Sequence, residues 1–260
     1  MSRTGTLLAK ELREIRRSRG LLLSMFALPV PMVVVALVLV RLVLHVHPGD
    51  LNELIRFYHV QLVDHDPRLT MIAFWTRECA GLFLVMPLFI PVLISAQSVA
   101  GEKERRTIEP LLASPLTAVE IVLAKSLAAV IPAMGITLIA FTLFAVGVDV
   151  IVWPLLHRPV VPDGSWLFAV LVLAPLLSFL GNTITVLVSS RVNDSRLAQQ
   201  IAALIVIPLL GLVAVQFTGL VFVGPRFYLG LGSTVALADG VLFAVAVRLF
   251  DRQRILSRWA

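Results

Sequence analysis

Six long apolar runs, separated by charged or proline-rich stretches, constrain this chain more than any other feature of its 260 residues. A helix that crosses a bilayer needs about 20 mainly apolar residues. We predict spans at residues 21–44, 79–100, 121–148, 166–190, 201–223 and 231–250. Hydrophobic residues make up 58% of the chain and charged residues 15%, and there is one cysteine. This composition excludes an ordinary soluble domain, a disordered chain and a disulfide scaffold. The predicted fold class is an all-α integral membrane protein with six transmembrane helices.

The distribution of basic residues predicts the orientation of these spans. Sixteen of the 22 Lys and Arg residues lie in residues 1–20, in or next to the loops after the second and fourth spans, and from Arg248 onward, whereas five lie in the alternate loops. Cytoplasmic loops carry the excess of positive charge, so both termini are predicted to be cytoplasmic. The first apolar run is longer than that of a signal peptide and lacks a cleavage site, so we expect it to remain as a span. Residues 21–260 then form the transmembrane domain.

Residues 1–20 form a separate cytoplasmic segment that predicts an amphipathic helix at the membrane surface. Its apolar face covers an arc of about 140° and is formed by Leu7, Leu8, Leu12 and Ile15. A basic anchor on anionic lipid headgroups would explain this pattern. Glu11, however, lies inside the apolar arc, which favours an interface helix that also contacts protein.

The inner loop after the second span carries the most specific pattern in the chain. From Gly101 it reads GEKERRTIEPLLASP, followed by LTAVEIVLAK, which ends at Lys125. This loop resembles the cytoplasmic coupling segment of ATP-binding-cassette (ABC) exporter permeases of type 2. The positions that match the family pattern are Glu102, Glu104, Arg105, Thr107, Glu109, Leu111, Leu112, Ser114, Pro115 and Lys125. Arg106 stands where the family has Gly and Ile108 where it has Leu. Without the resemblance, a solvated connecting loop would be the simpler interpretation.

The resemblance implies a membrane-spanning permease subunit of an ATP-driven exporter in a prokaryotic cell membrane. The matching loop would hold a coupling helix between the second and third spans. It would contact separate ATPase subunits that bind ATP and Mg, so no cofactor is expected in this chain. A second permease subunit, identical or homologous, would complete the translocation pathway. The expected substrate is an amphipathic or hydrophobic molecule such as a drug, a lipid or a peptide, and no nucleic-acid partner is expected.

Known catalytic motifs do not occur in the sequence, so the chain is not expected to be an enzyme. It has no G-x-x-x-x-G-K-[ST] run to cradle nucleotide phosphates, no G-x-S-x-G elbow and no H-E-x-x-H zinc helix. The four histidines of the loop before the second span do not have the spacing of a zinc site. We therefore predict no catalytic residue and no metal site.

Polar residues inside the spans suggest two further candidates. Ser178, Asn182 and Thr185 share one face of the fourth span, where they could bond neighbouring helices or line the pathway. Asp239 lies near the middle of the sixth span, where a carboxylate costs at least about 2.5–3.5 kcal/mol. The alternative function is therefore an ion-coupled secondary transporter or an intramembrane hydrolase that uses Asp239, although the inverted repeats of such carriers are not evident.

Overall fold

The computed structural model describes residues 3–58, 66–104, 116–157, 159–218 and 225–249. Within these ranges the chain is helical and contains no β-strand, as predicted. Six helical segments are long and apolar enough to cross a membrane, which confirms the all-α membrane fold class. They are Arg19–Val43, Pro67–Glu102, Ala118–Leu155, Gly164–Arg191, Ser195–Phe217 and Arg226–Leu249.

The described residues form twelve α-helices, and ten of these build the six spans, some of them joined by a short turn or a π-helical segment. The interface helix is α1, Arg3–Arg17, and α4, Pro48–Phe57, is a short helix between the first two spans. The first and second spans comprise α2, Arg19–Phe26, with α3, Pro29–Val43, and α5, Pro67–Phe83, with α6, Val85–Glu104. The third span is α7, Ala118–Leu156, and the fourth is α8, Gly164–Phe168, a π-helix at Ala169–Leu173, and α9, Ala174–Arg191. The fifth comprises α10, Ser195–Ala203, with α11, Val206–Phe217, and the sixth is α12, Pro225–Leu249.

The second span differs most from its predicted bounds, because it begins twelve residues before the predicted start at residue 79. Pro67 occupies the first turn of α5 and the Asp66 side chain accepts a hydrogen bond from the Arg68 backbone N–H at 2.8 Å. Both are favourable at a helix N-terminus. The apolar run alone does not reveal this start, because Arg77 and Glu78 interrupt it.

The second span is also the centre of the helical packing. Its most apolar window is 89% buried inside the protein, compared with 28%, 28% and 22% for the first, fifth and sixth spans. The peripheral spans expose large apolar side chains such as Leu23, Leu237 and Val241. A surface of this kind suits contact with lipid chains, in which apolar side chains are as stable as they are in a protein core.

A close approach between the second and fourth spans fixes the middle of the molecule. A Cβ atom added at Gly181 of α9 would clash with the backbone carbonyl oxygen of Leu88 in α6. Small residues allow helix backbones to pack this closely in membranes. The contact therefore requires glycine at position 181.

Candidate coupling site

The interface helix α1 lies against the spans of its own chain at the end where the coupling segment begins and ends. Glu11 and Ile15 are buried, whereas Leu8 and Leu12 are half-buried. Leu7, also buried, packs in one apolar cluster with Leu116, Ile121 and Ala124. The predicted apolar face thus contacts protein along α1. Its position beside Leu116 brings it to the start of the third span.

A buried ion network joins α1 to the second and third spans. The Lys125 Nζ atom lies 3.1 Å from Glu11 Oε1 and 2.9 Å from Glu102 Oε2, and the Lys125 side chain is only 3% exposed. Ser98 donates a hydrogen bond to Glu11 Oε2 at 2.8 Å, while Lys125 donates to the Ser98 backbone carbonyl at 3.2 Å. Glu11, Ser98, Glu102 and Lys125 are named below as the ion network. In the ion network, two carboxylates and a backbone carbonyl surround the buried Lys125 ammonium group. A buried charge is tolerated when it is paired and hydrogen-bonded in this way.

Lys10 provides a second cation at the solvent side of the ion network. Its Nζ atom lies 3.6 Å from Glu102 and 3.5 Å from Glu14, and its side chain is 51% exposed. Partial burial acts to lower the pKa of Lys10, but attraction by Glu102, Glu11 and Glu14 outweighs it and raises that pKa above its ordinary value. Lys10 is therefore charged at neutral pH and offsets the excess negative charge of the two buried carboxylates.

The ion network lies at the two ends of the predicted coupling segment. Glu102 belongs to the last turn of α6, and Lys125 lies in the second turn of α7 after the start at Ala118. Between these helices, seven of the predicted coupling residues fall outside the described residues: Arg105, Thr107, Glu109, Leu111, Leu112, Ser114 and Pro115. Their contact with an ATPase stays a prediction.

Two helix caps fix the same region. Glu104, the last residue of α6, accepts hydrogen bonds from the backbone N–H of Ser195 at 2.6 Å and from its hydroxyl at 3.3 Å. Ser195 is the first residue of α10, so Glu104 ties the second span to the fifth. Thr117 and Glu120 form a reciprocal capping box at the start of α7. The coupling segment thus follows the residue that bonds the start of α10 and precedes the capped start of α7.

The polar stripe of the fourth span bonds to neighbouring helices. The Asn182 Oδ1 atom accepts a hydrogen bond from Ser95 at 2.6 Å, and its Nδ2 donates to Ser126 at 2.7 Å, which joins the second, third and fourth spans. Thr185 donates to the Gly181 carbonyl at 2.7 Å, and Ser178 lies 3.7 Å from the sulfur of Met134. All these contacts are internal to one chain. A role of the stripe in lining a pathway stays a prediction.

Asp239 of the sixth span is buried without a partner in the described part of the chain. It is 5% exposed, and neither carboxyl oxygen has a hydrogen bond to a described residue. Arg41, the basic residue of α3, is exposed and makes no ion pair with Asp239 among the described residues. The contacts of Asp239 in the described part of the chain therefore do not show what this residue does, and its predicted function stays a prediction.

The pairing of Glu11 with Lys125 could not be predicted from the sequence, although each of these charges interrupts an apolar pattern. Glu11 interrupts the apolar arc of α1, and Lys125 interrupts an apolar run at the start of the third span. Charges in such positions indicate burial against a partner. The partner itself is set by packing between residues 114 positions apart, which no local pattern reports. Glu78 and Tyr228 are two further buried polar residues, and no motif in the sequence marks them.

These features define a polytopic α-helical membrane protein with an interface helix anchored to the bases of its second and third spans. Residues 6–223 match the sequence model of a family described as ABC-2 family transporter protein. Because this match covers most of the chain, the protein belongs to the ABC-2 transporter family. A search of curated proteins finds no match to it. The family assignment agrees with the resemblance of the inner loop and makes the chain a membrane transport component.

Proposed function

We propose that the protein is the membrane subunit of an ATP-driven exporter and that its coupling segment, residues 105–115, contacts a separate ATPase subunit. The observation that carries this proposal is the ion network at the base of that segment. It connects α1, the end of α6 and the start of α7 through ion pairs of 2.9 and 3.1 Å. Three helices joined in this way move together when the segment between two of them is displaced.

The energetics of the ion network suit a mechanical connection. Separating a buried ion pair leaves uncompensated charges and costs about 3–5 kcal/mol. A displacement of the coupling segment could be absorbed by breaking the ion network or passed on to the spans. Passing it on to the spans therefore costs less free energy. ATP and Mg would be bound by the ATPase subunit, and this chain would supply the moving helices of the pathway.

The wider assembly follows from the same proposal. Two permease subunits, identical or homologous, would form the translocation pathway in a prokaryotic cell membrane, with both termini and the ion network on the cytoplasmic side. The excess of basic residues around the coupling segment supports this orientation. The substrate would be an amphipathic or hydrophobic molecule such as a drug, a lipid or a peptide, as the resemblance of the inner loop implies.

We expect Leu111→Asp and Glu109→Arg to abolish most substrate-stimulated ATP hydrolysis and export without preventing membrane insertion. The first introduces a charge and the second reverses one at the proposed ATPase contact. Loss of one of the few residues that dominate an interface costs about 2 kcal/mol or more, roughly a thirtyfold loss of affinity. ATP hydrolysis and export in reconstituted complexes provide the measurement. Glu53→Arg, which makes the same charge reversal on the exposed face of α4, is the matched control. Wild-type coupling in both coupling-segment variants would refute the proposed contact.

A further inference from the structure

The interface helix α1 carries exposed basic side chains on the face that its own chain leaves uncovered. Arg13, Arg16 and Arg17 are exposed, and at 100° per residue they fall within an arc of about 100°. The centre of this arc lies opposite Glu11 and Ile15, which are buried against the spans. The apolar side of α1 is therefore used for packing within the chain, and the basic side is left for a partner.

A fourth exposed arginine, Arg19, stands at the start of α2, two residues after the end of α1. The four residues are named below as the basic face: Arg13, Arg16, Arg17 and Arg19. None of them forms an ion pair with an acidic residue in the described part of the chain. Glu14, the exposed acid of α1, lies 3.5 Å from Lys10 instead. The basic face thus presents four positive charges, which are complementary to an anionic surface.

The basic face adjoins an exposed apolar stripe of the first span. Leu23 and Phe26 follow Arg19 at i+4 and i+7, so they lie on the same side of α2. Their exposed fractions are 74% and 42%. Exposed apolar side chains continue along α3 at Val30 and Val34. A molecule with a phosphate group at Arg19 and a hydrocarbon chain along this stripe would match both parts of the surface.

Two kinds of partner are complementary to a basic face at the end of a membrane span. One is the headgroup layer of anionic lipids, and the other is an acidic surface of a soluble protein. The apolar stripe favours the lipid, because a soluble protein could contact the arginines but not the side chains that lie within the bilayer. Arginine also suits a phosphodiester, since its planar guanidinium group donates paired hydrogen bonds to phosphate oxygens. The two features together indicate an anionic phospholipid.

We propose that the basic face binds the headgroup of an anionic phospholipid whose acyl chains lie along Leu23 and Phe26. Each arginine near an anionic membrane surface contributes a roughly fivefold gain in affinity, equivalent to about 1 kcal/mol. The lipid would hold α1 on the side opposite the ion network, so that α1 is fixed between the spans and the membrane surface. This site does not depend on the coupling proposal, because it requires only that the first span crosses a membrane.

Native mass spectrometry of the purified full-length protein tests this site. The protein is titrated in detergent with phosphatidylglycerol or with phosphatidylcholine of the same acyl chains. We expect the first phosphatidylglycerol to bind with an apparent Kd at least about tenfold lower, since two arginines at roughly fivefold each exceed that ratio. The ratio should fall as the ammonium acetate concentration rises, because salt screens exposed charges. Equal Kd values for the two lipids would overturn the proposal.

Inorganic phosphate is the probe for a site that takes a soluble anion. At matched ionic strength it should not displace phosphatidylglycerol, because it has no hydrocarbon chain to lie along the apolar stripe. Displacement of the lipid by inorganic phosphate would show that the stripe takes no part in binding, and it would overturn the proposal.

Variants of the basic face locate the binding. The triple variant Arg13→Gln, Arg16→Gln, Arg17→Gln is expected to raise the apparent Kd for phosphatidylglycerol roughly a hundredfold, because it removes three charges that each contribute about fivefold. Arg19→Gln alone should raise it about fivefold, and this variant decides the matter if the triple variant does not fold. A wild-type preference for phosphatidylglycerol in the folded triple variant, or in Arg19→Gln if the triple variant does not fold, would overturn the assignment.

A second triple variant makes the same change of charge at the other end of the spans. Arg41→Gln, Arg56→Gln, Arg226→Gln replaces three exposed arginines and should keep the wild-type preference for phosphatidylglycerol. An equal loss in both triple variants would show that net charge, and not the basic face, attracts the lipid. Normal lipid binding by the first triple variant, together with loss of binding to a purified ATPase subunit, would identify the basic face as a protein interface. Either result would overturn the proposal.

Discussion

Lys125→Met is expected to destabilise the protein by about 3–5 kcal/mol, because it removes the buried cation of the ion network and leaves Glu11 and Glu102 uncompensated. The side chain it removes is 3% exposed and lies 3.1 and 2.9 Å from the two carboxylates. Methionine has nearly the same length and adds no cavity, so the effect is electrostatic. Thermal unfolding in detergent and the yield of folded protein after heating provide the measurement.

Two further variants separate electrostatics from packing at this site. Lys10→Met removes a cation that is 51% exposed and is expected to cost no more than about 1 kcal/mol. The triple variant Glu11→Gln, Glu102→Gln, Lys125→Met removes all the buried charges and should recover much of the stability lost in Lys125→Met. If Lys125→Met were as stable as Lys10→Met, the ion network would not hold α1 to the spans.

Gly181→Ala is expected to destabilise the transmembrane domain by about 1–3 kcal/mol or more, because overpacking at a close contact forces the backbone to move. The new Cβ atom would meet the carbonyl oxygen of Leu88 on the facing helix, and a backbone atom cannot turn away as a side chain can. The second and fourth spans must then separate, which would also disturb the hydrogen bonds of Asn182 to Ser95 and Ser126. The melting temperature in detergent checks the loss.

Gly135→Ala provides the matched control for this prediction. Gly135 lies within α7, and a Cβ atom added there would meet nothing within 4 Å. Alanine has a higher helix propensity than glycine, so this variant is expected to be neutral or slightly stabilising. Equal melting temperatures for Gly181→Ala and Gly135→Ala would show that the two spans do not approach as closely as described.

The spans and the interface helix could be predicted from sequence because each depends on a local pattern. A run of about 20 apolar residues marks a span, and the arc from Leu7 to Ile15 marks one face of α1. The extension of the second span back to Pro67 could not be predicted in this way. Its first turns carry polar residues such as Arg77 and Glu78 that lower the apolar signal, although they continue the same helix.

The sequence pattern does not show which buried charges pair with each other. Glu11 was marked by its position in the apolar arc, but its partners Ser98 and Lys125 lie 87 and 114 positions away. The same limit applies to the buried polar residues Glu78, Gln216 and Tyr228, which belong to three different spans. Sequence periodicity assigns a side chain to one face of a helix, and tertiary packing decides what that face meets.

Photo-crosslinking from position 111 tests directly whether the coupling segment contacts a separate ATPase subunit. A photoreactive phenylalanine analogue would replace Leu111 in the coupling segment, and a matched probe would replace Phe57, which is 72% exposed on α4. We expect position 111, and not position 57, to crosslink to a polypeptide with a G-x-x-x-x-G-K-[ST] phosphate-binding motif, and ATP to change the yield. Absence of such a polypeptide from the products at position 111, in cells that carry out the transport, would show that the coupling segment does not contact an ATPase.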